Sequence, residues 1–133
     1  MTSFFADSHY YIALANASDA DHAKAAAFAR IVSRPIVTTA WIITELADGL
    51  CKVGTRATFE RLLGLIRTDA LTTVISADQS LLDRGLRVYA ARPDKEWSLT
   101  DCISFVVMQE QGILEALTAD HHFEQAGFVA LLK

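Results

Sequence analysis

Only two cysteines occur, Cys51 and Cys102, and with four histidines they make neither a C-x-x-C pair nor the spacing of a structural zinc site. That scarcity excludes a disulfide scaffold and a zinc-stapled fold, and leaves both cysteines expected as small buried hydrophobes. Proline is equally rare: Pro35 and Pro93 are the two in the chain, each placed to end a helix. No apolar run approaches the roughly 18 residues of a membrane span, and the N-terminus lacks the basic region and cleavage pattern of a signal peptide. No membrane association is expected, and the cytoplasm is the expected compartment. A surplus of cations is missing too, with 12 Lys and Arg against 16 Asp and Glu and a formal net charge of −4. This argues against a broadly basic surface that coats nucleic acid, yet it allows an acidic site bridged to phosphate by a metal ion.

What is present is a chain of 133 residues, 52% hydrophobic and 21% charged, which rules out disordered and collagenous readings. That length suits one domain, 1–133, able to bury its own core without a staple. Neither an internal repeat nor a low-complexity tract nor a linker interrupts it.

Short β-branched or aromatic runs alternate with helical spacing along the chain. SFFAD reads as a buried strand and HYYIALANA as a helix or helical turn; DHAKAAAFARIVS predicts a helix from Asp21 to Ser33. PIVTTA reads as a strand, WIITELADGLCKV as a helix over 41–53, and TRATFERLLGLIRTD as an amphipathic helix with Thr55 as its cap. LTTVI predicts a strand, SADQSLLDRGLRVYAAR a helix despite Gly85, and PDKEWS a loop. Ser98 or Thr100 then caps a helix running from Asp101 towards Gly112. ILEALTA, DHHFEQAG and FVALL close the chain as strand, short helix or turn, and strand. The alternation predicts an α/β fold in three layers, with a central, mostly parallel sheet of four or five short strands flanked by helices.

Four carboxylates fall where a strand gives way to a helix or in its early turns: Asp7, Glu45, Asp101 and Asp120. In a parallel sheet those positions converge on one crevice, and a hard divalent cation takes such an oxygen cluster. A helix cap or a dipole partner is the competing reading for any one of them. The residues by themselves leave both open.

The segments FFADSHYYIAL, TTAWIITELADGL, SLTDCISFVVMQEQGI and ALTADHHFEQAGF, in that order over almost the whole chain, resemble a PIN-domain ribonuclease of the small kind typified by VapC-like toxins. The resemblance implies that Asp7, Glu45, Asp101 and Asp120 are the catalytic and metal-site acids, with Mg²⁺ or Mn²⁺ as cofactor. It also implies that Ser8, Ser98 and Thr118 are hydroxyl neighbours that orient them. RNA would be the substrate, cleaved as an endoribonuclease does; a small antitoxin protein and a second copy of the chain in a homodimer would be the partners. Many members carry Thr after the first Asp, where this chain has Ser8 followed by His9.

Other residues carry weaker signals. His9 reads as solvent-facing or packed, and His121 and His122, being adjacent, are expected to point in different directions. Arg84 with Arg87, or Lys52 with Arg56, offers a local cationic groove, though a solvated helix face explains them more simply. Tyr10, Tyr11, Trp41 and Trp97 could stack unpaired bases, and core packing or a protein interface explains them at least as simply. The face through Phe59, Leu62, Leu63 and Ile66 serves a partner or the core. Rival functions are a related metal-dependent DNA nuclease and a non-catalytic binding module that keeps the fold. A receiver-like signalling domain is disfavoured because its late strands would need a Lys that ILEALTA and FVALL lack.

Overall fold

Phe4, Phe5 and Ala6 form strand β1 (Phe4–Ala6), and all three are buried because this strand lies at the middle of the sheet. The computed structural model describes residues 2–31 and 33–133. After β1 come α1 (Ser8–Ala15), α2 (His22–Ile31), β2 (Ile36–Thr39), α3 (Ala40–Gly49) and α4 (Arg56–Thr68). Next are β3 (Thr72–Ile75), α5 (Gln79–Ala91), α6 (Leu99–Glu110), β4 (Glu115–Leu117), α7 (His121–Gln125) and β5 (Val129–Ala130).

The five strands pair in the order β3-β2-β1-β4-β5, parallel throughout. Phe5 faces Val37 of β2 on one side and Ala116 of β4 on the other. Every residue of β1 and β2 is buried, so helices must cover both faces of the sheet. Successive connections carry the chain outward from β1 to β2 and β3, then return it to the far side of β1 for β4 and β5. The order therefore switches between β1 and β4, and a crevice opens beyond the carboxyl ends of those two strands. Among the described residues, no helix is long and apolar enough to cross a membrane.

Helix α6 is the apolar mast of the molecule. Eight successive residues, Asp101 to Met108, are buried, so it has no solvated face over its first turns. Its Phe105 packs edge to face on both Trp97 and Phe123, with ring centroids 5.0 Å apart in each of the two pairs.

Several boundaries differ from expectation for local reasons. Helix α3 stops at Gly49 rather than continuing to residue 53, and the chain from Cys51 to Gly54 is exposed. Cys51 is therefore not a core residue; Cys102 is. Thr55 occupies the position before α4 without capping it: its backbone is not in the extended conformation of a cap, and its hydroxyl donates backwards to the carbonyls of Leu50 and Lys52. Helix α5 begins at Gln79 instead of Ser76, since the Asp78 carboxylate accepts from the Leu81 amide and fixes the start there. Ser98, not Thr100, caps α6. The expected end of α2 includes Val32, which lies outside the described residues. Tyr10, Tyr11 and Trp97 are buried, as are Leu62 and Ile66, so these are core residues rather than free stacking platforms.

Gly85 is read from sequence as a tolerated helix interruption, and the packing gives it a reason. A methyl group there would collide with Ile103 Cγ1 and crowd the Ile103 backbone, and Ile103 is wholly buried. Close approach of α5 to α6 depends on this absence of a side chain. Gly85→Ala should destabilise the protein by about 1–3 kcal/mol, overriding the helix-propensity gain of up to about 1 kcal/mol. Urea denaturation measures it, and a midpoint at or above the parent's would contradict the packing argument.

Candidate active site

The crevice beyond β1 and β4 holds a cleft of about 420 Å³ lined by Asp7, Ser8, His9, Ile12, Glu45, Glu96, Ser98, Asp101, Asp120 and His122. All four acids read from the sequence meet here. Glu96 and His122 join them.

Asp7 follows β1 directly. Its backbone is extended, at φ −85° and ψ 162°, and it precedes α1 without its side chain capping that helix. The carboxylate instead turns across the sheet and accepts a 2.8 Å hydrogen bond from the Thr118 hydroxyl at the end of β4. Thr118 is completely buried, and its Oγ1 also accepts from the Asp120 amide at 3.1 Å. One hydroxyl thus ties the first acid to the backbone of the last. Asp120 is then the cap of α7, its Oδ1 accepting from the His122 amide at 2.9 Å.

Asp101 sits at the third position of α6 in a reciprocal capping box: its amide donates to Ser98 Oγ at 3.0 Å, and its Oδ2 accepts from the Ser98 amide at 3.2 Å. The cap and ligand readings are therefore compatible, because one oxygen satisfies the helix end while the residue still lines the cleft. Glu45, half-buried in the second turn of α3, accepts from the Ser8 hydroxyl. Ser8 and Ser98 are each bonded to one of the four acid residues and Thr118 to two, although Ser8 reaches Glu45 rather than its neighbour Asp7.

The electrostatics are those of crowded acids with no cation among them. Five carboxylates line the cleft, from Asp7, Glu45, Glu96, Asp101 and Asp120, while lysine and arginine do not. Burial raises the Asp7 carboxyl from its ordinary 3.8 to about 7; the Thr118 hydrogen bond opposes the rise, and Glu45 and Asp101 add to it. Burial likewise pushes Glu45 up, against its Ser8 bond and with help from Asp101 and Asp120. Asp101 is also raised, chiefly by burial, with the Ser98 amide opposing, Asp120 adding and His122 countering.

Such a set fits a divalent cation, because two positive charges beside these oxygens would relieve both the desolvation and the mutual repulsion. The acids share the cleft without closing into a tight triad. Among the described residues, the groups whose three ligand atoms lie within 4.8 Å of one another are Asp120 with His121 and His122, and His9 with Asp19 and Asp21.

The histidines depart from expectation. His121 and His122 do not diverge: their ring centroids are 4.4 Å apart, and both Nδ1 atoms face Asp120 Oδ1, at 3.7 and 3.4 Å. His122 Nδ1 also lies 3.3 Å from Asp101 Oδ2, which places this ring between two acids. Its signal was its place two residues after a capping Asp, where the capped amide carries the side chain back over the helix start. His9 lines the cleft and bonds Asp21 through Nε2 at 2.8 Å. Glu96, within the polar PDKEWS loop, had no local signal. Arg84 is engaged by Glu110 and Arg56 by the Cys51 carbonyl, and neither lines the cleft.

Comparison with known proteins bears on this geometry. The PIN domain family model matches residues 4–129. The 23S rRNA-specific endonuclease VapC20 of Mycobacterium tuberculosis, from strains CDC 1551 / Oshkosh and ATCC 25618 / H37Rv, is 28% identical over 130 residues, covering 94% of this chain and 95% of the relative. The crystal structure of M. tuberculosis VapC20, described as a Sarcin-Ricin loop cleaving toxin, superposes with a TM-score of 0.86 at 25% identity, covering 95% of this chain and 96% of that one.

The raised Asp7 value fixes the sign of a pH effect. Folding holds this proton more tightly than the unfolded chain does, so the contribution is fully present below about pH 4 and is lost as pH rises through about 7. Metal-free protein should lose a few kcal/mol of stability across that window from this residue, of order 4 at most. Asp7→Asn should flatten the loss. Urea melts in chelator at about pH 5 and about pH 8 measure it, and a parental pH slope in the variant would contradict the assignment.

Proposed function

We infer that this chain, which belongs to the PIN domain family, is a divalent-metal-dependent endoribonuclease that hydrolyses RNA phosphodiester bonds. The observation that carries the reading is the cleft itself: family membership over residues 4–129 coincides with five carboxylates around one cavity whose lining contains no basic side chain other than histidine. The relatives' printed names, a 23S rRNA-specific endonuclease and a Sarcin-Ricin loop cleaving toxin, support RNA as substrate and make ribosomal RNA the first one to test.

Asp7, Asp101, Asp120 and Glu45 would hold Mg²⁺ or Mn²⁺. When bound, such a cation neutralises charge on the phosphoryl oxygens and acidifies the attacking water. The chain's own contribution is placement. Asp7 is held in one orientation by Thr118 from the neighbouring strand, and Asp101 is locked into the first turn of α6 by its capping box. These two provide the primary oxygens. Glu45 and Asp120 complete the shell or position the attacking water. Of these, Glu45 comes from α3 and is pushed up by burial, which suits a group that takes a proton from water. His122, between Asp101 and Asp120, orients both carboxylates.

A role as the toxin of a toxin-antitoxin pair, a small antitoxin covering the acidic groove, a homodimer and a cytoplasmic setting belong to the same proposal. Their support is the resemblance to VapC20.

Asp7→Asn and Asp101→Asn should each reduce Mn²⁺-stimulated cleavage of single-stranded RNA at least about a hundredfold, while both variants keep a cooperative thermal melt. A gel assay comparing RNA with flap DNA separates ribonuclease from DNA nuclease. Undiminished RNA cleavage by Asp7→Asn would sink the reading, and so would exclusive cleavage of DNA.

A further inference from the structure

A second cavity, of about 520 Å³, shares Glu96 with the acidic cleft and has two cations, Arg92 and Lys95, in its lining. Its walls include Tyr89 from α5, Arg92 and Lys95 from the loop after it, and Trp97; Glu96 lines both cavities. The residue after Trp97 is Ser98, which caps α6 beside Asp101 in the acidic cleft. The loop therefore leads from one cavity directly into the other.

A cleft lined by five carboxylates repels a polyanion everywhere except at the scissile phosphate. Phosphates flanking that bond need cations elsewhere, close enough for one strand to reach both. The second cavity supplies them. Arg92 lies with its guanidinium carbon 5.1 Å from the Trp97 ring centre, and it holds Asp94 through two bonds of 3.0 and 2.9 Å. That pair is solvent-exposed on both sides, so it stabilises little and a phosphate can take the guanidinium's forked donors in its place. Trp97 is the floor rather than a free platform: it is buried, and its indole N–H donates to Gln125 at 3.0 Å. Tyr89 is 54% exposed although it is a large aromatic at the rim of this groove. An unpaired base stacking on it would cover that ring.

We propose that the groove of Tyr89, Arg92, Lys95 and Trp97 is a substrate track, which holds the single-stranded RNA next to the scissile bond by pairing Arg92 and Lys95 with backbone phosphates and stacking a base on Tyr89. The proposal rests on the ribonuclease reading and deepens it by saying where the strand runs. It separates the site into a carboxylate half that handles the reacting phosphate and a cationic, aromatic half that handles its neighbours. The sequence pairs Arg84 with Arg87 and Lys52 with Arg56 do not share this continuity with the acids.

The test uses a short oligouridylate as probe and compares wild-type protein with Arg92→Ala/Lys95→Ala and Tyr89→Ala. In Mn²⁺-supported cleavage, the double substitution should raise KM about tenfold, with the loss falling on KM rather than kcat. Fluorescence anisotropy in chelator should show weaker binding and a shallower dependence on salt, the slope of log K falling by about 1.4 for two single-strand phosphate contacts. As a readout independent of any folding defect in the variants, oligouridylate carrying 5-iodouridine should photocross-link to Tyr89 in the wild-type protein. Unchanged KM and salt slope in a protein that cleaves, or cross-links confined to other surfaces, would overturn the track and leave the ribonuclease reading standing. A wild-type protein that neither binds nor cleaves RNA would overturn both.

Discussion

A carboxylate buried at the end of the central strand is the constraint on which the rest of this structure turns. Asp7 stands at 5% exposure between β1 and α1, where water cannot stabilise its charge. Only the Thr118 hydroxyl and local backbone oppose the burial, and two further carboxylates make it worse. A fold optimised for stability alone would place an apolar residue at such a position. Holding an uncompensated acid there costs folding energy, and the arrangement makes physical sense when a cation is part of the working molecule.

Topology turns that local cost into a site. Because β1 and β4 are neighbours at the point where strand order reverses, the residues after them, Asp7 and Asp120, approach although 113 positions separate them in the chain. Thr118 joins them through a single hydroxyl. Helix α6 contributes Asp101 and α3 contributes Glu45, each bonded to a serine. The same residues thus cap helices, satisfy backbone groups and line the cleft. At Asp101 and Asp120 the capping bonds leave the residues lining the cleft, so a cap and the proposed ligand are compatible roles.

The sequence made the acids and the α/β alternation legible because both are local signals: a buried apolar run, then an Asp, then helical spacing. The five parallel strands and the helix order follow from the same signals. What it did not expose depends on contacts between distant segments. Glu96 lines the cleft through the loop after α5 and lies in no distinctive motif, while His122 stands beside Asp120 but meets Asp101 only through the packing of α7 on α6. For the aromatic pair Tyr10 and Tyr11 the sequence leaves stacking and core packing open, and the packing of α1 places them in the core. Cys51 was misjudged for the reverse reason, since α3 ends before it and leaves it in solvent. Gly85 was read as a weakness of α5, whereas tertiary packing against Ile103 makes it a requirement.

The central claim is that Asp7, Glu45, Asp101 and Asp120 form one cation site, and the most direct measurement is crystallographic. Crystals soaked in Mn²⁺ and measured for anomalous scattering should show a peak in the cleft, bonded to Asp7 and to at least one of Asp101 and Asp120 at metal–oxygen distances of about 2.0–2.3 Å. A peak found instead at His9, Asp19 and Asp21, or density for no metal among these four acids at saturating Mn²⁺, would contradict the account.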